Sequence, residues 1–143
     1  DKLHEKFPLV LPSGRLVEYE GGGDETRSNP WLAELQQESF VEIHPKAAAE
    51  RGITNGSRVW VVTPTGARLN VQALVTERVA PDTAFMPFHF AGRWQGKDLL
   101  EYYPEGAAPV VRGEAVNTAT TYGYDCVTMM QESKTTICNI EKA

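Results

Sequence analysis

Apolar and polar residues alternate most regularly between Ala67 and Val75. Ala67, Leu69, Val71, Ala73 and Val75 share one face, while Arg68, Asn70 and Gln72 share the other. A period of two predicts a half-buried antiparallel strand. Arg58 to Thr63 is a β-branched and aromatic run and predicts another strand. Phe40-Val41-Glu42-Ile43 and Ala84-Phe85-Met86 predict shorter ones. Phe7 to Pro12 is apolar and punctuated by prolines, which suits a buried or edge strand. Asp125 to Met130 and Thr135 to Ile140 predict two closing strands.

Helical patterns are short. His44 to Gly52 has proline at its start, alanines through its middle and glycine at its end. Pro30 to Gln37 predicts a second helix, with Asn29 as its cap and Trp31, Leu32 and Leu35 on one face. Asn55-Gly56 and Thr63-Pro64-Thr65-Gly66 mark turns. Ser13 to Asn29 carries four glycines and no periodicity, so it predicts a long ordered loop, a feature usually tied to function. Phe88 to Thr121 is irregular and rich in glycine, proline and aromatics. Many short strands with one or two helices predict a β-barrel, not a sandwich or a doubly wound sheet.

Length and composition add bounds. At 143 residues, with 41% hydrophobic and 23% charged residues, the chain suits a single globular domain spanning 1–143. The net charge of −5, with no basic run, argues against a nucleic-acid partner. An anionic ligand then has to be held locally, by backbone amides and one or two arginines. There is no run of 18 apolar residues, so no membrane-inserted helix is expected. Asp1 to Lys6 is polar, unlike a secretory leader, and the chain opens without methionine. It is therefore expected to be a piece of a longer polypeptide.

Cys126 and Cys138 fall in the two closing strands and have no zinc-type spacing. They read as small apolar core residues, and a bridge between them requires Cα atoms within about 7 Å.

Several residues can carry ligand chemistry. Ser13-Gly14-Arg15 follows a strand, so a glycine turn exposes amides beside a planar, permanently charged guanidinium. Taken alone, the same pattern suits a surface arginine. Gly21-Gly22-Gly23, with Asp24, Thr26 and Arg27 after it, permits close backbone approach to a ligand or a flexible loop. Its spacing is neither that of a Rossmann fingerprint nor that of a P-loop. Glu18, Asp24 and Asp98 are loop carboxylates able to accept paired N–H donors such as those of a guanine edge. His4, His44 and His89 have no metal-site spacing, and His44 is placed to serve its own helix. His89, between Phe88 and Phe90, suits either a ligand-facing or a core position. No nucleophile–base pair and no metal-ligand set appears, so no catalytic residue is assigned.

In combination these segments resemble a known family. Phe7 to Tyr19, with Gly23 and Thr26-Arg27, is similar to the strand and loop that open the molybdopterin-dinucleotide-binding domain of the dimethyl sulfoxide reductase superfamily. Phe40 to Pro45, Ala48, Gly52-Ile53, Gly56, Val59 to Val62, Val79 and Phe85 to Phe88 follow in the same order. Val116-Asn117-Thr118 with Tyr122 to Asp125 is most similar to formate dehydrogenase large subunits, and nitrate reductases are the near alternative.

The resemblance implies a six-stranded double-psi β-barrel that caps a bis-(molybdopterin guanine dinucleotide) cofactor carrying Mo or W. It implies cofactor contacts at Ser13, Gly14, Arg15, Glu18, Tyr19, Gly21 and Gly22, at Phe88 and His89, and at Asn117, Tyr122 and Gly123. It places the metal ligand and the iron–sulfur cluster in upstream domains of the same large subunit, with an iron–sulfur electron-transfer subunit as partner. The chain departs from the pattern at Glu20-Gly21-Gly22, where relatives often have histidine or threonine, and at Gly123, where many have lysine. Trp94 to Arg112 reads as an insertion that brings Asp98 into competition with Asn117 for the asparagine role. A non-enzymatic barrel that binds protein or peptide is the remaining alternative.

Overall fold

The computed structural model describes residues 2–106 and 112–143. Six strands close into a barrel: β1 (Leu9–Gly14), β2 (Phe40–Ile43), β3 (Arg58–Val62), β4 (Arg68–Val75), β5 (Ala84–Pro87) and, last in the chain, β9 (Thr135–Lys142). Around the barrel the order is β1-β5-β2-β4-β3-β9. Two parallel pairs, β1 with β5 and β2 with β4, are set among antiparallel ones. This is the expected six-stranded barrel, with the crossed parallel pairs of a double-psi fold.

The alternation along each strand fills the interior. Leu9 and Leu11, Val59 and Val61, Leu69, Val71 and Ala73, and Cys138 and Ile140 all point inward and are buried. Each such side chain removed from water contributes on the order of 1.5–3 kcal/mol if large. β2 is buried along its whole length, and Ala47 and Ala48 of the helix that follows it, α3 (Pro45–Glu50), are buried in the same core cluster as Val41 and Ile43. His44 caps α3 locally: its Nδ1 accepts the Lys46 amide at 3.1 Å.

Some expectations need correction. Asp125 to Met130 is not a strand. The Asp125 carboxylate accepts the amides of Val127 and Thr128, at 2.7 and 2.8 Å, and Met129 adopts φ 57°. An Asx turn thus competes successfully with the extended form. Cys126 therefore lies exposed on this turn, Cys138 is buried in the barrel, and both are free thiols. The polar N-terminus forms a short helix, α1 (Lys2–Lys6). Asn29 caps helix α2 (Pro30–Leu35) as expected, but Trp31 and Leu35 are exposed and Ala33 is its buried residue.

The irregular stretch after β5 holds a small sheet of its own. β6 (Gly92–Trp94) lies between β7 (Lys97–Asp98) and β8 (Gly113–Glu114). The Glu114 carboxylate, fully buried, accepts the amides of Asn70, Gln95 and Gly96, which fastens this sheet to β4. Part of the expected insertion, residues 107–111, lies outside the described residues.

Candidate functional site

The parallel pairing of β1 with β5 builds the site. Ser13 lies opposite Met86 and Gly14 opposite Pro87, so both strands release their following loops at the same barrel end. The Phe88 amide donates to the Gly14 carbonyl at 3.2 Å, and the Leu16 amide donates to Nε2 of His89 at 2.9 Å. Residues distant in sequence thus meet: Ser13 to Gly23 on one side, Phe88 and His89 on the other. Gly14 has a steric reason to be glycine, since a Cβ there would lie 2.8 Å from the Phe85 ring.

The loop after β1 is shaped by its glycines. Gly21 and Gly23 adopt φ of 42° and 84°, in the left-handed region that glycine enters without penalty. The Gly23 amide closes a turn on the Glu20 carbonyl, and the Glu20 amide donates to Thr26 Oγ1 at 3.0 Å. Arg27 Nε donates to the Gly23 carbonyl at 3.1 Å. Among the described residues, the amides of Arg15, Gly21 and Gly22 have no protein acceptor, and the Arg15 guanidinium has no ion-pair partner. Arg15 and Gly22 are exposed, while Glu18 and Phe88 are half-buried. Amides and a guanidinium left unpaired among the described residues on one loop form a site suited to phosphate or diphosphate.

Tyr19 and His89 sit beneath this surface. Both are buried, at 4% and 0% exposure, so neither presents its ring to solvent. The Tyr19 hydroxyl donates to the Gln36 carbonyl, and its ring packs edge-on to Phe90 and tilted against His89. Tyr19, Phe90 and Ala33, with Leu16 and Leu32 packed against them, form a second small core that ties the loop to α2. Burial, aided by Glu18, raises the Tyr19 pKa, which keeps the phenol protonated.

The late segment approaches from another side. Val116 and Ala119 plug into the barrel core, and Asn117 is exposed in a 3-10 turn, its side chain unengaged among the described residues. Tyr122 is fully exposed, and the Gly123 carbonyl accepts the Glu132 amide at 2.9 Å. Among the described residues, no hydrogen bond, ion pair or ring contact joins Asn117, Tyr122 or Gly123 to the first loop. Asp98 is committed elsewhere: it binds the Arg112 guanidinium and the Leu100 amide. The Leu100 amide first, then Arg112, holds its carboxyl below the ordinary range.

Sequence reasoning missed Lys134. The Ser13 amide donates to its carbonyl at 2.8 Å, and its ammonium lies 5.8 Å from the Phe88 ring centroid. Lys134 also lines a groove of about 970 Å³ with Thr121, so it connects the first loop to the late segment. Its only signal in the sequence was a lone cation ahead of the last strand.

A closed mixed barrel with a glycine-shaped, cation-flanked loop at one end defines a binding domain for an anionic ligand. The chain belongs to the molydopterin dinucleotide binding domain family, whose model matches residues 9–137. It is 34% identical over 139 residues to formate dehydrogenase 2 subunit alpha (cytochrome c-553) of Nitratidesulfovibrio vulgaris, which covers 96% of this chain and 13% of that one. It is 35% identical over 100 residues to the assimilatory nitrate reductase catalytic subunit of Bacillus subtilis, covering 70% of this chain and 14% of that one. Among solved structures, acetylene hydratase from Pelobacter acetylenicus superposes over 99% of this chain and 19% of its own length. The TM-score is 0.69 at 19% identity, a likeness of fold. The chain thus spans a small fraction of the length of the relatives it matches.

Proposed function

We propose that residues 1–143 form one domain of the large subunit of a formate dehydrogenase and close over a bis-(molybdopterin guanine dinucleotide) carrying Mo or W. The observation that carries this reading is the end of the β1–β5 pair. There, among the described residues, the amides of Arg15, Gly21 and Gly22 and the Arg15 guanidinium are unpaired, with Phe88 and Lys134 at the same barrel end. That donor set fits a polyanionic dinucleotide.

In this reading Ser13, Gly14, Arg15, Gly21 and Gly22 hold phosphate oxygens, and Glu18 accepts N–H donors of the guanine edge. Phe88 walls the cavity, and Asn117, Tyr122 and Gly123 contact the cofactor from the late segment. Asn117 takes the asparagine role, because Asp98 is held by Arg112. When bound, the cofactor supplies the metal centre that takes two electrons from formate. The chain's own residues bind and orient that group and exclude water from one side of it. Upstream domains of the same subunit supply the rest of the cavity and the iron–sulfur cluster, and an iron–sulfur subunit accepts the electrons. The similarity to a nitrate reductase supports a second reading, in which the same domain serves nitrate reduction.

The test uses the full-length polypeptide purified from its source without exposure to oxygen. Mo, W and acid-released GMP are quantified. Two GMP per metal is the expected result, and formate-dependent reduction of a dye separates formate from nitrate chemistry. Protein that contains neither metal nor GMP overturns the proposal.

A further inference from the structure

We infer that His89 acts on the bound cofactor through the first loop, as a positioning residue that braces the loop from beneath, and not by touching the cofactor. The cofactor half of this statement rests on the function proposed above; the loop half does not.

The imidazole is fully buried, so a ligand on the loop's outer surface does not reach it. Its Nε2 accepts the Leu16 amide at 2.9 Å, and a nitrogen that accepts carries no proton. The neutral ring therefore holds its proton on Nδ1. Nδ1 is buried and, among the described residues, makes no hydrogen bond of good geometry; it faces the backbone of the glycine turn, where the Gly22 carbonyl attracts its proton and a Cβ on Gly23 would lie 3.2 Å from it. The ring is packed between Phe88, 4.7 Å away, and Tyr19, 5.4 Å away. One nitrogen thus pins the loop's entry, and the opposite edge lies against the glycine turn.

The charged and titratable groups around the ring are Arg15, Glu18, Tyr19 and Arg27 from the loop, and Lys134 across Phe88. Burial is the main influence and pushes the imidazole pKa below its ordinary value. The Gly22 carbonyl pulls it up, Arg15 and Arg27 push it down, and Glu18 pulls it up. Protonation turns Nε2 into a donor facing the Leu16 N–H, which is also a donor. The brace therefore exists only while the ring is neutral. As pH falls, the unfolded or open loop takes up the proton more readily than the closed one, and the loop is released.

The experiment is hydrogen exchange of the Leu16–Gly23 peptide in the full-length polypeptide stripped of cofactor, with GMP release followed in the loaded protein. His89→Leu is expected to raise loop exchange tenfold or more. His89→Gln, whose carbonyl oxygen can accept the Leu16 amide, is expected to stay within threefold of wild type. Lowering the pH from 7 to 5 is expected to raise loop exchange in wild type, beyond the intrinsic rate change, and not in His89→Gln. GMP release should follow the same order. Unchanged loop exchange in stripped His89→Leu, together with faster GMP loss, would mean direct contact and overturn the inference. So would equal behaviour of the two variants, or a wild-type loop insensitive to pH. If a variant does not fold, the wild-type pH series decides. If wild type carries no GMP, the proposed function fails while the loop measurements still judge His89.

Discussion

Ser13 and Lys134 are held together by one backbone hydrogen bond of 2.8 Å, between the Ser13 amide and the Lys134 carbonyl. This bond extends the pairing of the first and last barrel strands by one step, past the Pro12–Thr135 register. It fixes a cation at the edge of the glycine loop without using that cation's own charge for structure. The ammonium therefore remains available to a ligand beside Phe88.

Two single-site variants weigh these cations. Arg15→Ala and Lys134→Ala are each expected to weaken cofactor retention by about 10- to 150-fold, the loss of one charge-assisted contact. Neither side chain forms an ion pair among the described residues, so thermal stability of the stripped protein should change little. GMP content after gel filtration at graded salt measures the first, and calorimetry the second. Full retention in Arg15→Ala would remove that residue from the site.

Sequence pattern revealed the barrel better than the site. The alternation from Ala67 to Val75 is a direct trace of a strand with one face inside, and the capped, alanine-filled segment after His44 could hardly be anything but a helix. The register was not legible. Nothing local says that Gly14 lies opposite Pro87, because a parallel pair is joined through a long crossover and is set by the whole core. The same gap hid Lys134, whose importance depends on a contact across the barrel end. At Asp125 the β-branched and apolar character of the run suggested a strand, while a single carboxylate satisfying two amides decided for a turn. For His89 the residue type fitted two environments, and only the fold shows that it is enclosed.

Glu114 was also silent in the sequence, and it is expected to matter for stability. Glu114→Ala leaves the part-buried amides of Asn70, Gln95 and Gly96 without their acceptor. The expected loss is about 1–3 kcal/mol in chemical denaturation, the cost of orphaned part-buried donors. A loss below about 1 kcal/mol would mean that water replaces the carboxylate.

Gly23→Ala tests the shape of the loop. The substitution places a methyl at φ 84°, 3.2 Å from both Arg27 Cγ and His89 Nδ1. Backbone strain alone costs about 1–2 kcal/mol, and the crowding adds to it. Faster exchange of the loop amides with the barrel amides still protected is the expected signature.

The two thiols should separate cleanly. Burial pushes the Cys138 thiol up to about 12, so it is protonated and enclosed at neutral pH, whereas Cys126 is exposed. Alkylation of the native protein should label one thiol, and alkylation in denaturant both, as read by mass spectrometry. Native labelling of Cys138 would show that the barrel opens on the timescale of the reaction.

The last strand, Thr135–Lys142, lies between the first strand and the third. On the ribosome, no barrel can close until those final residues have cleared the exit tunnel. The apolar faces of five finished strands must wait, and the pairing of Leu9 with Cys138 joins the two most distant parts of the fold. Such long-range closure is slow. The time between synthesis of the first strand and arrival of the last is when the nascent chain is most exposed to mispairing, and when a chaperone has most to protect.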